Sequence, residues 1–118
     1  MTIQRRRKRK DTIRILHVDD NLEFAEMATT FLEQENDRFD TETAASATDG
    51  LARLADSSFD CVISDYDMPN QNGIEFLKTV RDTYPELPFI LFTGKGSEAV
   101  ASDALSAGAT DYLRKEAG

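Results

Sequence analysis

Short apolar runs alternate along this chain with longer stretches of helical spacing, and that alternation restricts its fold more than any other feature. Ile13 to Val18 is apolar enough for a central strand. Asn21 to Glu35 then carries Phe24, Ala28, Phe31 and Leu32 at helical intervals. Phe39, Thr41 and Thr43 suggest a weaker edge strand. Ser46, with Asp49 three residues on, forms a capping-box pattern at the head of a short helix bearing Leu51, Leu54 and Ala55. Cys61 to Ser64 reads as a third strand. Asn72 and Glu75 open the next helix, whose stripe is Ile74, Leu77, Val80 and Tyr84. Pro85 and Pro88 bracket the turn into the continuous apolar strand Phe89 to Phe92. Ser97 is placed to cap a helix carrying Val100, Ala101, Ala104 and Leu105, which Gly108 stops. Asp111 to Arg114 is a last short strand.

Strand and helix in strict alternation require a parallel sheet with right-handed crossovers and helices on both faces. The expectation is an α/β fold: a flavodoxin-like, doubly wound, five-stranded parallel sheet in the order 2-1-3-4-5. Such a sheet normally closes with a fifth helix, yet only Glu116-Ala117-Gly118 follow Lys115. The last helix is therefore expected to be missing, leaving part of one face bare. Either the chain is cut from a longer protein or a partner covers the gap.

At 118 residues the chain is long enough for one domain with a single core. Residues 1–11 form a basic arm that should be disordered, because like charges cannot pack on themselves, and 12–118 form the domain. Arg5 to Lys10 supplies six of the 14 basic residues, leaving eight against 22 acidic ones, a balance near −14 for the rest. That body repels nucleic acid. Its acidity suits a salt-rich cytoplasm and points to a halophilic archaeal host. Cys61 is the only cysteine, which rules out an internal disulfide and a cysteine metal cluster and suggests a small buried thiol. No apolar stretch is long enough to cross a bilayer, and the basic N-terminus lacks the apolar segment of a signal peptide, so the expected location is the cytoplasm.

The chemistry lies where the strands end. The first ends in Asp19-Asp20, the third in Asp65, the fourth in Thr93 and the fifth in Lys115. In open parallel sheets, ligands bind beyond the carboxyl ends of the strands at the point where strand order reverses, here between strands one and three. Three carboxylates gathered there repel one another, and a small hard cation relieves the repulsion. Mg²⁺ suits oxygen ligands and retains several waters. Asp20 and Asp65 are expected to bind it directly, Asp19 through water, and the backbone carbonyl of Asp67 to add a further ligand. Asp65 can then act as a nucleophile and form an aspartyl phosphate. Lys115 would neutralise one phosphoryl oxygen, and the Thr93 hydroxyl with the Gly94 amide another.

Asp19-Asp20, the segment Asp65 to Asn70 with Asn72-Gly73, Thr93-Gly94, and Gly108 to Lys115 together resemble a response-regulator receiver domain of two-component signalling, of the chemotaxis-regulator kind. The match runs from about Thr12 to Lys115. It implies transfer of a phosphoryl group from a phosphohistidine on a histidine kinase or phosphotransfer protein to Asp65. It also implies that Thr93 moves toward the phosphate while Tyr112 swings inward, reshaping the face formed by the fourth helix and fifth strand for an output domain or downstream protein. The chain itself would not be an enzyme, although its parent could be a hybrid sensor kinase. Two departures stand out. Glu116 replaces the usual proline after the lysine, and Gly94 stands where alanine is common, which should keep the pocket open. Asp67 and Lys95 are expected to flank the pocket and pair, tuning the access of water.

Other readings of the same residues are weaker. A haloacid-dehalogenase-like phosphatase also uses a strand-end Asp-x-Asp, but needs more chain and usually Thr or Val where Pro69 stands. Asp20 and Glu23 could form an ordinary capping pair. His17 suggests a phosphohistidine, yet in a central strand a buried, hydrogen-bonded histidine is the better expectation. Asp65-x-Asp67 looks like the start of a calcium loop, but Asn70 replaces the needed glycine and Phe76 the closing glutamate.

Overall fold

The computed structural model describes residues 11–94 and 98–115. The basic arm up to Lys10, Lys95 with its expected partnership, the Ser97 cap and Glu116 lie outside the described residues. Nine elements alternate: β1 (Ile13–Val18), α1 (Leu22–Glu35), β2 (Phe39–Ala44), α2 (Ala47–Asp56), β3 (Cys61–Ser64), α3 (Gly73–Thr83), β4 (Phe89–Thr93), α4 (Glu98–Ser106) and β5 (Asp111–Arg114). All four strand pairs are parallel, and the order is β2-β1-β3-β4-β5. The chain therefore reverses direction across the sheet between β1 and β3, as expected.

Alternation along the strands sorts side chains onto two faces. Leu16, Val18, Val62, Phe89 and Leu91 face a continuous core with Leu54 of α2, Phe76, Leu77 and Val80 of α3, and Ala104 of α4. Phe76 is fully buried, although its helix stripe was read without it. The opposite face presents His17, Ile63, Ile90, Phe92 and Leu113, and among the described residues only α1 covers it. Between that helix and the strands lies an apolar groove of about 420 Å³. Phe31, expected in a buried stripe, is 59 % exposed, and Met27 is 62 % exposed. The helix leans over β1 and β2, so its stripe looks along the sheet rather than into a closed core. Among the described residues, part of that face beside α1 is left open.

The caps decide where helices start, and so where the site residues stand. Asn21, not Asp20, caps α1: its side chain accepts from Phe24 N–H at 3.1 Å. The alternative Asp20–Glu23 capping pair is displaced by one residue, because Asn21 is itself turned by a bond from its N–H to Asp19 Oδ1 at 2.9 Å. Ser46 accepts from Asp49 N–H, but the Asp49 carboxylate accepts from Ala45 N–H at 3.4 Å, so that box is only half formed. At α3 both halves exist. Asn72 accepts from Ile74 and Glu75, and Glu75 accepts from Asn72 N–H. Such a cap contributes about 1 kcal/mol and fixes the helix end beside Asp65. Gly108, at φ +106°, ends α4 in the left-handed region that favours glycine, and the Arg81 guanidinium donates two bonds to its carbonyl.

Candidate functional site

Parallel strands carry their chemistry to one edge. Asp19 follows β1, its N–H held by Ala44 O at 3.0 Å. Asp65 follows β3, its N–H held by Val18 O at 2.9 Å. Thr93 closes β4, and Lys115 follows β5 with its N–H on Thr93 O at 2.9 Å. These ladder bonds extend the sheet one residue beyond the strands. Side chains from distant parts of the sequence thereby meet: Lys115 Nζ donates to Asp19 Oδ2 at 3.1 Å and lies 3.4 Å from Asp65 Oδ1.

Asp19, Asp20 and Asp65 each offer a carboxylate oxygen, all within 4.8 Å of one another. Asp19 and Asp65 are buried, whereas Asp20 is exposed. Such a set, two oxygens in the floor and one at the solvent edge, fits a hard divalent cation that keeps part of its water. Burial pushes the Asp65 carboxyl above the ordinary aspartate range. The ammonium of Lys115 pulls it back, the charge of Asp19 pushes the same way as burial, and the N–H of Tyr66 opposes it. Thr93 is fully buried beside this cluster. Gly94 is exposed, and a methyl added to it would meet the Lys115 stem at 4.0 Å, an ordinary contact. Asp67 is exposed, on the loop just past Asp65.

Tyr112 pairs with Leu91 in register and points to the α3–α4 face. Its hydroxyl is buried with no hydrogen-bond partner among the described residues. His17 corrects an expectation in part. It is buried, but neither ring nitrogen has a hydrogen-bond partner among the described residues. Its Nε2 is 3.9 Å from Asp19 Oδ2, and burial holds its pKa below the usual value, partly offset by Asp19. The ring instead meets Phe24 edge-on at 6.1 Å. Cys61 is half-buried, and burial with the charge of Asp60 pushes its thiol up to about 11, leaving it protonated.

Reading the sequence missed one site neighbour. Phe24, taken as part of a core stripe, lies 4.0 Å from Lys115 Nζ, measured to the ring centroid. An aromatic in the first turn after an acidic pair was the available signal.

Comparison with known proteins follows the same lines. A family model described as "Response regulator receiver domain" matches residues 15–118. The chain is 37 % identical over 102 residues to a transcriptional regulatory protein CpxR homolog of Haemophilus influenzae, covering 86 % of this chain and 43 % of that one. Among solved structures, the Vibrio cholerae chemotaxis protein CheY4 superposes with a TM-score of 0.82 at 31 % identity, covering 91 % of this chain and 89 % of that one. A Burkholderia pseudomallei response regulator with a phosphorylated aspartic acid, calcium ion and citrate gives 0.81 at 26 % identity, covering 90 % and 61 %. This chain spans less than half the length of the curated relative.

Proposed function

The chain belongs to the response regulator receiver domain family, and from that premise we propose that Asp65 is its phosphoacceptor, with Asp19, Asp20, Asp65 and the backbone carbonyl of Asp67 as the ligands of a Mg²⁺ ion. A carboxylate oxygen of Asp65 attacks the phosphorus of a kinase or phosphotransfer-protein phosphohistidine. The P–N bond breaks, its electron pair stays on the imidazole nitrogen, and that nitrogen then takes a proton from solvent. The Asp65–phosphoryl bond that forms is a mixed anhydride. Transfer of this kind needs alignment and charge neutralisation more than covalent help. Lys115 supplies a cation to one phosphoryl oxygen, and the Thr93 hydroxyl with the Gly94 amide supplies donors to another. Mg²⁺ bound among the carboxylates would neutralise further charge on the transferring group.

The observation that carries this reading is the convergence of Lys115 on Asp19 and Asp65, at 3.1 and 3.4 Å. A lysine between two buried carboxylates has little structural purpose that a smaller hydrogen-bonded pair would not serve more cheaply. The phosphorylated aspartic acid in the Burkholderia relative is consistent with the same chemistry here. The family match leaves the phosphatase alternative without support.

The product is a switch rather than a turnover catalyst. Phosphate on Asp65 favours the conformation in which Thr93 moves toward it and Tyr112 swings inward behind Thr93, and α4 with β5 presents the changed face to an output domain or separate target. The CpxR-like relative is a transcriptional regulator, and a hybrid sensor kinase is a further parent that this module fits. Among the described residues no helix is long and apolar enough to cross a membrane. With a cytoplasmic kinase as donor, the site works in the cytoplasm, and the carboxylate excess suits the salt-rich one of a halophilic archaeon. Incubation with Mg²⁺ and acetyl phosphate, followed by intact mass, tests the proposal. The chain should gain one phosphate, fail to gain it when EDTA removes the Mg²⁺, and fail to gain it as Asp65→Asn. A wild-type chain that stays unmodified at saturating donor refutes it.

A further inference from the structure

Four contacts form a closed circuit around the head of α1. Asp19 Oδ1 accepts from Asn21 N–H at 2.9 Å, and Asn21 Oδ1 accepts from Phe24 N–H at 3.1 Å. The Phe24 ring lies 4.0 Å from Lys115 Nζ, and Lys115 Nζ returns to Asp19 Oδ2 at 3.1 Å. Phe92 stands beside the ring at 5.9 Å between centroids, itself 5.9 Å from the ammonium. His17 braces the other side of Phe24.

A lysine ammonium is a point charge on a four-carbon stem and has many rotamers open to it. Its side chain here is 22 % exposed, so water competes for it. Two carboxylates attract it in the metal-free site. Once a divalent cation shares those carboxylates, their pull on Lys115 weakens, and like charge opposes it. The negative face of an aromatic ring then supplies an attraction that does not depend on the carboxylates being free, and Phe24, at 4.0 Å against 5.9 Å for Phe92, supplies the larger part. From this geometry, and resting on the phosphoacceptor reading above, we infer that Phe24 is a positioning residue: its ring holds the Lys115 ammonium over Asp65 when the metal is bound. An aliphatic side chain would fill the same space and lose this effect. Tyrosine would keep it, since Phe24 lines the apolar groove, whose volume of about 420 Å³ gives room for a hydroxyl.

The test compares Phe24→Leu, Phe24→Met and Phe24→Tyr in the full chain, each checked for a native amide spectrum. Two quantities are read: the rate of phosphate gain from acetyl phosphate across a Mg²⁺ titration, and the ring-current shift of the Lys115 ε-methylene protons with Mg²⁺ present. The leucine and methionine variants should show a maximal rate about three- to tenfold lower, with half-saturation by Mg²⁺ within about twofold of wild type. Their Lys115 protons should lose the upfield shift. The tyrosine variant should retain both rate and shift. In a Lys115→Met background, Phe24→Leu should cost nothing further. The inference is overturned if wild type accepts phosphate and the leucine variant matches it, or if tyrosine fails as badly as leucine. A wild type that never gains phosphate overturns the phosphoacceptor reading, and this inference with it.

Discussion

The ammonium of Lys115 lies nearer to Asp19, at 3.1 Å, than to Asp65, at 3.4 Å. The lysine is therefore the counter-ion of Asp19 and Asp65 together and not of Asp65 alone. Asp19 depends on it most, because its side chain is only 1 % exposed. Removing the cation as Lys115→Met strands a buried charge. A full buried pair would lose several kcal/mol, and the partial exposure of Lys115 reduces that to ~2 kcal/mol. Chemical denaturation without metal should show the loss. Millimolar Mg²⁺ should restore most of it and stabilise the variant more than wild type, since the ion takes over the vacant charge.

The folded chain disfavours the charged form of Asp65. Burial first, and Asp19 after it, raise its pKa above the ordinary aspartate value of 3.8. The folded chain then holds that proton more tightly than the unfolded one. Ionisation of Asp65 costs stability as pH rises through its folded-state pKa, and the cost is absent below the unfolded value. Asp65→Asn should remove it. At neutral pH without metal the variant should be the more stable of the two, with a higher Tm. The difference should shrink as the pH is lowered toward 4 and persist in alkali. Thermal melts of both chains from pH 4 to 8 in EDTA check this, and a gain that grows on acidification contradicts it.

Much of this arrangement was legible in the sequence for one reason: a parallel sheet gathers its strand ends, so a polar residue closing each apolar run is a statement about space. Asp19, Asp65, Thr93 and Lys115 needed only the strand order to be brought together. What strand logic does not carry is direction within a helix. Phe24, Phe31 and Leu32 share one stripe, yet Phe24 reaches Lys115 while Phe31 is exposed. Which of them turns to the site depends on how α1 leans across the sheet. Position along the cap was ambiguous too, because Asp20 and Asn21 are both good capping residues. Only the Asp19–Asn21 bond settles which one caps and which stays with the cluster. That the His17 ring nitrogens find no hydrogen-bond partner among the described residues was beyond reach in the same way: it reflects what covers that face, not what occupies the strand.

The Tyr112 hydroxyl is buried without a partner among the described residues. An unsatisfied buried hydroxyl costs roughly 1–3 kcal/mol, and removing it without changing shape returns part of that. Tyr112→Phe should raise the stability of the unphosphorylated chain by ~1 kcal/mol, read from urea denaturation with an unchanged m-value. Should the hydroxyl find a partner in the beryllofluoride-bound form, the gain will vanish or reverse there. A variant equally stabilised in both forms would mean that the hydroxyl takes no part in the switch.

Two glycines border the site and should answer substitution in opposite ways. At Gly94 an added methyl finds, among the described residues, only the Lys115 stem at 4.0 Å. Gly94→Ala should therefore lie within about 0.5 kcal/mol of wild type. At Gly73 the same methyl would collide with the Asp65 carbonyl oxygen and stand 2.7 Å from Leu91 Cδ1 and 2.9 Å from Tyr66 Cα. Neither backbone can give way easily. The Gly73 N–H is bonded to Tyr66 O at 2.9 Å, and α3 is locked at this end by the Asn72–Glu75 box. Relief requires the head of α3 to withdraw from the end of β3, at a cost of about 2–3 kcal/mol. Because the backbone displaced is that of Asp65 itself, the damage should reach the chemistry. Gly73→Ala should accept phosphate from acetyl phosphate more slowly even at temperatures where it remains folded, whereas Gly94→Ala should stay close to wild type in Tm. Intact-mass time courses beside melting curves separate the two effects. A Gly73→Ala chain that is destabilised yet phosphorylated at the wild-type rate would show that the acceptor carboxylate is placed independently of α3.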